Sequence, residues 1–137
     1  MEALIRAATV NDIDAVLQLW LEANAEPSHT DDTAGISALL GYDEEALLLA
    51  EVDETLVGTV IAGWDGWRGS IYRLVVHPKY RRRGVARRLL LEAEKRTAER
   101  GARRLQAIVV ASDSPATAFW RASGWDEQVA RVRFVKG

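Results

Sequence analysis

The stretch Leu74-Val75-Val76-His77-Pro78-Lys79-Tyr80-Arg81-Arg82-Arg83-Gly84-Val85-Ala86-Arg87-Arg88-Leu89-Leu90 joins an apolar, β-branched run to a helical pattern. His77-Pro78 closes the run, and Arg81, Arg82 and Arg83 stand where the helix is predicted to begin. A helix N-terminus already carries about half a positive charge, so three arginines there oppose the dipole. An anion bound at that point removes the conflict. Gly84 brings no side chain between backbone and ligand, and the free N–H groups of the first turn point at it. The junction reads as a phosphate cradle.

The flanking sequence supplies the rest of an α/β fold. Leu4-Ile5-Arg6-Ala7 is a short predicted strand. Thr9 reads as an N-cap with Asp12 as its partner in a capping box. Ile13, Val16, Leu17, Trp20 and Leu21 recur at helical spacing, which predicts a helix over about 10–24, ended by Pro27. Asp31-Asp32 open a second, shorter helix that stops at Gly41. Ala46 to Val52 and Thr55 to Trp64 flank Asp53-Glu54 as a hairpin, and Asp65-Gly66 turns the chain into a strand over 70–76.

The long helix is expected over about 83–100. Ala86, Leu89, Leu90, Ala93 and Thr97 form one face, and Gly101 is its C-cap. Leu105 to Val110 is a further strand. Asp113 or Ser114 caps a helix with Pro115 in its first turn. Val129 to Val135 alternates apolar and basic residues and is predicted to be the last strand. The order β-α-α-β-β-β-α-β-α-β predicts one domain over 1–137, a mixed, mostly antiparallel central sheet flanked by helices.

Composition narrows the function. A chain of 137 residues fits a single domain with a real core. No apolar run approaches the roughly 20 residues that span a bilayer. The start Met1-Glu2-Ala3 lacks the basic region of a secretory signal. The absence of cysteine excludes disulfides, thiolate metal sites and cysteine nucleophiles, and fits a cytoplasmic protein. His29 and His77 lie far apart, so no metal site is expected. Residues 1–72 hold 14 acidic and 2 basic groups, whereas residues 73–104 hold 12 basic and 3 acidic ones. One part of the chain attracts anions and another attracts cations. The basic block is confined to one strand–helix unit without an aromatic RNA-binding pattern, which argues against a nucleic-acid partner.

With the strand and proline before them and the helix behind, Arg81, Gly84 and Ala86 resemble the Arg/Gln-x-x-Gly-x-Gly/Ala acyl-CoA motif of the GNAT N-acetyltransferases. The order of elements is similar over most of the chain. Gly63-Trp64-Asp65-Gly66-Trp67-Arg68-Gly69-Ser70 resembles the small bacterial YpeA-like subgroup. The resemblance implies acetyl-CoA as cosubstrate and transfer of its acetyl group to a primary amine, small or peptidyl, by direct attack in a ternary complex. It implies that the amides of Arg82, Arg83, Gly84, Val85 and Ala86 hold the pyrophosphate, with Arg81, Arg83 and Arg87 adding charge. The strand Leu74-Val75-Val76 lies along the pantetheine arm and pairs with it through the backbone of Leu74 and Val76. The resemblance further implies that the N–H of Val76 polarises the thioester carbonyl. Asp113 stands where the family has an Asn that contacts CoA. A homodimer is compatible with the resemblance.

Two departures are informative. The family often carries a Glu base on this strand, and Ile71-Tyr72-Arg73 holds no carboxylate. It often carries a Tyr in the penultimate helix, and Trp120 stands there, whose indole N–H donates a hydrogen bond but is no practical acid. Tyr72 becomes the candidate polar group facing the thioester. Asp65 becomes the candidate for steering a cationic amine or taking its proton through water. Glu22, Glu26, Asp31 and Asp32, with His29 among them, give the acceptor side a charge that attracts an amine. Trp67, beside a turn, is the tryptophan expected to face a ligand. The same departures support an alternative, a catalytically weak acyl-CoA-binding sensor acting through a protein partner.

Overall fold

The computed structural model describes residues 2–137; Met1, the first residue of the start read for a targeting signal, lies outside them. The chain divides into two compact units, the first through Ala107 and the second Ile108–Gly137.

The first unit is a five-stranded sheet with strands in sequence order, β1 (Leu4–Ala7), β2 (Leu47–Val52), β3 (Thr55–Trp64), β4 (Gly69–Val76) and β5 (Leu105–Ala107). Neighbours are antiparallel except β4 and β5, which run parallel. The crossover between those two carries the long helix, α3 (Val85–Glu99). α1 (Ile13–Glu22) and α2 (Thr33–Tyr42) connect β1 to β2. Among the described residues no helix is long and apolar enough to cross a membrane.

Alternation along the strands separates two cores. Gly58 on β3 faces α3, where an added Cβ would stand 3.0 Å from Leu89 Cδ1 and 3.2 Å from Val85 Cγ1. Its neighbour Thr59 faces α1 and accepts the indole N–H of Trp20 at 2.9 Å. On that side Ile13, Val16, Leu19 and Trp20 of α1 pack with Ile36 and Leu40 of α2 over Leu47 and Leu49. On the other side Val85, Leu89, Leu90, Ala93 and Thr97 are the buried stripe of α3. Leu47, Leu48 and Leu49 are all essentially inaccessible, because β2 is covered on both faces.

Most predicted boundaries follow local chemistry. Thr9 and Asp12 form the expected capping box: Asp12 Oδ2 accepts the Thr9 N–H at 2.8 Å, and Thr9 Oγ1 accepts the Asn11 N–H at 3.3 Å. They cap a short 3₁₀ turn, Val10–Asp12, that leads into α1. α1 stops earlier than Pro27. Asn24 adopts φ +55, and the N–H groups of Asn24 and Ala25 return to the carbonyls of Leu21 and Trp20. That Schellman closure ends the helix before the proline is reached. Asp32 caps α2 by accepting the Gly35 N–H at 2.7 Å. Gly41 does not stop α2, which runs on to Tyr42.

Two expectations for strands fail. β5 ends at Ala107 rather than Val110. Its partner β4 leaves regular geometry just beyond the Ile71–Ala107 pair, so the ladder has nothing further to pair with. Val129 to Val135 is not a strand. Alternation marks β competence, but a strand forms only where a second backbone accepts its hydrogen bonds. Here Arg131 N–H closes a turn onto Gln128 O at 3.2 Å, and Val132 and Phe134 stay exposed. Within the second unit α4 (Ser114–Ala122) forms as expected, with Asp113 as N-cap accepting the Ala116 N–H at 3.1 Å. Trp120 packs edge-on against Trp125 at 4.7 Å.

Two predictions follow from these local geometries. Asp53 and Glu54 both have positive φ, +50 and +65, as the two central positions of a type I′ hairpin require. Replacing Glu54 with glycine relieves a left-handed side chain and should stabilise the protein by about 0.5–1 kcal/mol in denaturant titration. Arg6 grips Asp12 through two hydrogen bonds of 2.8 and 2.9 Å. That contact, with the Thr9 N–H, lowers the Asp12 carboxyl from 3.8 to about 2. A depressed carboxyl contributes stability above its ordinary pKa and loses it as pH falls through the folded value. Asp12→Asn should therefore cost about 1 kcal/mol at neutral pH, after discounting for solvent screening. Acid titration should show its deficit shrinking between roughly pH 4 and pH 2.

Candidate active site

The site is built on the second half of β4. Tyr72 pairs with Ile61 and Val75 with Thr59, so Val60 alone faces Arg73 and Leu74. This is a β-bulge, and Arg73 sits in it with φ +51. Its consequence is a change of direction. Before the bulge Gly69 donates its N–H to Arg104 O at 3.0 Å, so Gly69 and Ile71 address β5. After it, His77 N–H reaches Val57 O at 2.8 Å, so Val75 and His77 address β3. The amides of Leu74 and Val76 therefore point outward. Pairing with β5 has already ended at Ile71, so among the described residues no strand covers that edge.

His77 turns the chain from the strand to the cradle. Its Nδ1 accepts the Lys79 N–H at 3.1 Å and caps the 3₁₀ turn Pro78–Tyr80, while Nε2 lies 3.6 Å from Glu22 Oε1. Arg82 and Gly84 then take left-handed conformations, φ +64 and +78. Gly84 is the N-cap of α3 and no side chain caps that helix. Nothing stands within 4 Å of a Cβ added at Gly84, so the constraint is its φ and not its space. Arg81, Arg82, Arg83 and Arg87 are exposed, and among the described residues no salt bridge engages any of them. Arg6, Arg73, Arg96, Arg100 and Arg121 all have carboxylate partners. Four cations without a salt bridge thus stand around the start of α3, whose N-cap Gly84 offers no side-chain cap.

The structure distributes the other candidates unevenly. Tyr72 is 53% exposed and lies across Gly63, where an added Cβ would meet its ring at 3.3 Å. Asp65 lies in the β3–β4 turn, about 20 Å from Val76 by the length of the strand. Its carboxylate accepts the N–H groups of Arg68 at 2.7 Å and Trp67 at 2.8 Å, and these hold its pKa below the usual carboxylate range. Trp67 is exposed as expected, with the Arg68 guanidinium 4.0 Å above its ring. Asp113 belongs to the second unit. Of the acidic residues on the acceptor side, Asp32 is committed to its cap and Asp31 to Arg73 and the Ser28 N–H. Glu26 and His29 are exposed.

Sequence reasoning passed over Arg73 except as a missing carboxylate. Its signal was an arginine in the middle of an apolar strand, between Tyr72 and Leu74. Thr59 carried no signal beyond a threonine in a β-branched run.

A helix start without a side-chain cap, exposed arginines around it and a strand edge of outward amides are carried by a mixed α/β sheet protein. Residues 13–125 match the acetyltransferase (GNAT) family. The chain belongs to that family and is an acetyltransferase. An acetyltransferase of Yersinia pestis (strain Pestoides F) is 40% identical over 112 residues, 82% of this chain and 79% of its own length. Ard1 from Thermoplasma volcanium shares the fold with TM-score 0.81 at 20% identity, over 90% of this chain and 82% of that one. PaiA N-acetyltransferase from Thermoplasma acidophilum, solved in complex with coenzyme A, shares it with TM-score 0.77 at 19% identity, over 89% and 88%.

Because Gly84 is needed for its backbone alone, Gly84→Ala should fold normally and lose about 1 kcal/mol of stability, measured by thermal or denaturant unfolding.

Proposed function

We propose that the protein transfers the acetyl group of acetyl-CoA to a primary amine, small or peptidyl, by direct attack while both are bound. The observation that carries this reading is the continuity of the outward Leu74 and Val76 amides with the arginine-lined start of α3. The first-turn amides from Arg82 to Ala86 receive the pyrophosphate, and Arg81, Arg83 and Arg87 add charge that salt screens. The open edge of β4 takes the pantetheine arm as an added strand. Acetyl-CoA supplies the acyl group as an activated thioester. Its thioester lies at the end of the molecule remote from the pyrophosphate. The outward amide farther from the cradle therefore meets the carbonyl, and that amide belongs to Leu74, with Val76 pairing to the arm. The resemblance alone assigns that contact to the Val76 N–H.

Leu74 N–H donates to the carbonyl oxygen as charge builds on it during attack. An amine that arrives neutral needs no carboxylate on β4 to act as nucleophile. Its nitrogen bonds to the carbonyl carbon, the carbon–sulfur bond breaks, the nitrogen gives up one proton to solvent, and the departing thiolate takes one up. Tyr72, exposed beside the bulge, is the candidate to supply a polar contact there.

The test is thiol release from acetyl-CoA across a panel of amines, with calorimetry for CoA. Acceptor-dependent release supports the transferase. Tight CoA binding with no turnover and one stoichiometric protein partner would support the sensor instead. Gly84→Glu places a carboxylate in the cradle and should abolish CoA binding while the protein stays folded; unchanged affinity would overturn the assignment of the loop.

A further inference from the structure

The bulge in β4 is held by a buried chain of three groups. The Trp20 indole N–H donates to Thr59 Oγ1 at 2.9 Å, and the Thr59 hydroxyl donates to the Arg73 carbonyl, also at 2.9 Å. Thr59 is wholly inaccessible and Trp20 nearly so. A bulge leaves a carbonyl without its ladder partner. Thr59 answers that carbonyl from the neighbouring strand with its only donor. The side chain of Arg73 is fixed as well. Its guanidinium pairs with Asp31 and lies 5.4 Å over the Trp20 ring. Thus α1, the segment before α2, and β3 all converge on one non-glycine residue with a left-handed backbone.

That residue decides which amides of β4 face outward. Were β4 to straighten by one residue, Val75 would take the outward place and Leu74 would turn toward β3. The same hydroxyl serves two buried groups, accepting from Trp20 of α1 and donating to the bulge. We propose that Thr59, seconded by Trp20 and by the Asp31–Arg73 pair, is the positioning residue for acetyl transfer. It fixes the bulge that aims the Leu74 amide at the thioester. The inference rests on the functional reading above, because it concerns the same strand edge.

The test separates the cradle from the edge. ADP probes the cradle alone, CoA probes cradle and edge together, and turnover probes the aim of the amide. Thr59→Val keeps shape and removes the hydroxyl, whereas Thr59→Ser keeps it. With the fold verified by circular dichroism, Thr59→Val should bind ADP as wild type does. It should lose on the order of 10- to 100-fold in kcat/KM, with CoA affinity falling in parallel, because a misaimed group of about 1 Å costs that much. Thr59→Ser should restore both. Asp31→Asn changes a partly exposed partner without threatening the core, and should lower kcat several-fold with ADP affinity unchanged. A folded Thr59→Val enzyme with wild-type kcat/KM would overturn the proposal. So would wild-type kcat in Asp31→Asn if Thr59→Val failed to fold. A wild-type protein that bound CoA no better than ADP and released no thiol would overturn the functional reading itself.

Discussion

The structure turns on the hydrogen bond from the Thr59 hydroxyl to the carbonyl of Arg73. A left-handed non-glycine residue costs about 1–2 kcal/mol, and a hydrogen bond contributes about 1 kcal/mol net. The two nearly offset each other, so the bulge survives because both the Arg73 carbonyl and its side chain are tied down. Its effects on the strand are larger than its energy. It reverses the outward set of amides, from Gly69 and Ile71 to Leu74 and Val76. It also takes β4 out of register with β5, which accounts for a last strand only three residues long.

The helix start is placed by a different constraint. α3 must approach β3 closely for Val85 and Leu89 to be buried, and Gly58 permits that approach. The residue preceding Val85 is then left at the surface beside the end of β4. Charge is arranged around this point by omission. Asp12, Asp31 and Asp43 pair with arginines elsewhere, whereas among the described residues no salt bridge engages Arg81, Arg82, Arg83 or Arg87. Geometry and electrostatics therefore agree on one place for an anion without sharing a residue that creates both.

The parts legible in the sequence are those whose cause is local. The capping box at Thr9, the hairpin at Asp53-Glu54, the buried stripe of α3 and the cradle each depend on residues within a few positions of one another. The end of α1 is expected near residue 24 but assigned to Pro27, because a Schellman closure at Asn24 leaves a weaker mark than the proline three residues on. The strand predicted at 129–135 shows the limit of periodicity, since alternation describes one strand and pairing requires two. Arg73 and Thr59 are 14 residues apart, joined only by the register of a hairpin whose bulge no composition rule announces. The candidate site was thus half readable: the proposed cradle lies in one segment, and the proposed support of the Leu74 amide is drawn from four.

The uncompensated arginines bear on more than binding. Like charges at Arg81, Arg82, Arg83 and Arg87 repel one another and oppose the dipole of α3, so an anion bound among them is favoured on both counts. A ligand present at about 100 times its Kd adds about 2.7 kcal/mol to the stability of the state that binds it. For a chain of this size that is a sizeable share of the margin against unfolding. An anion held at this helix start would therefore serve the fold as well as the reaction.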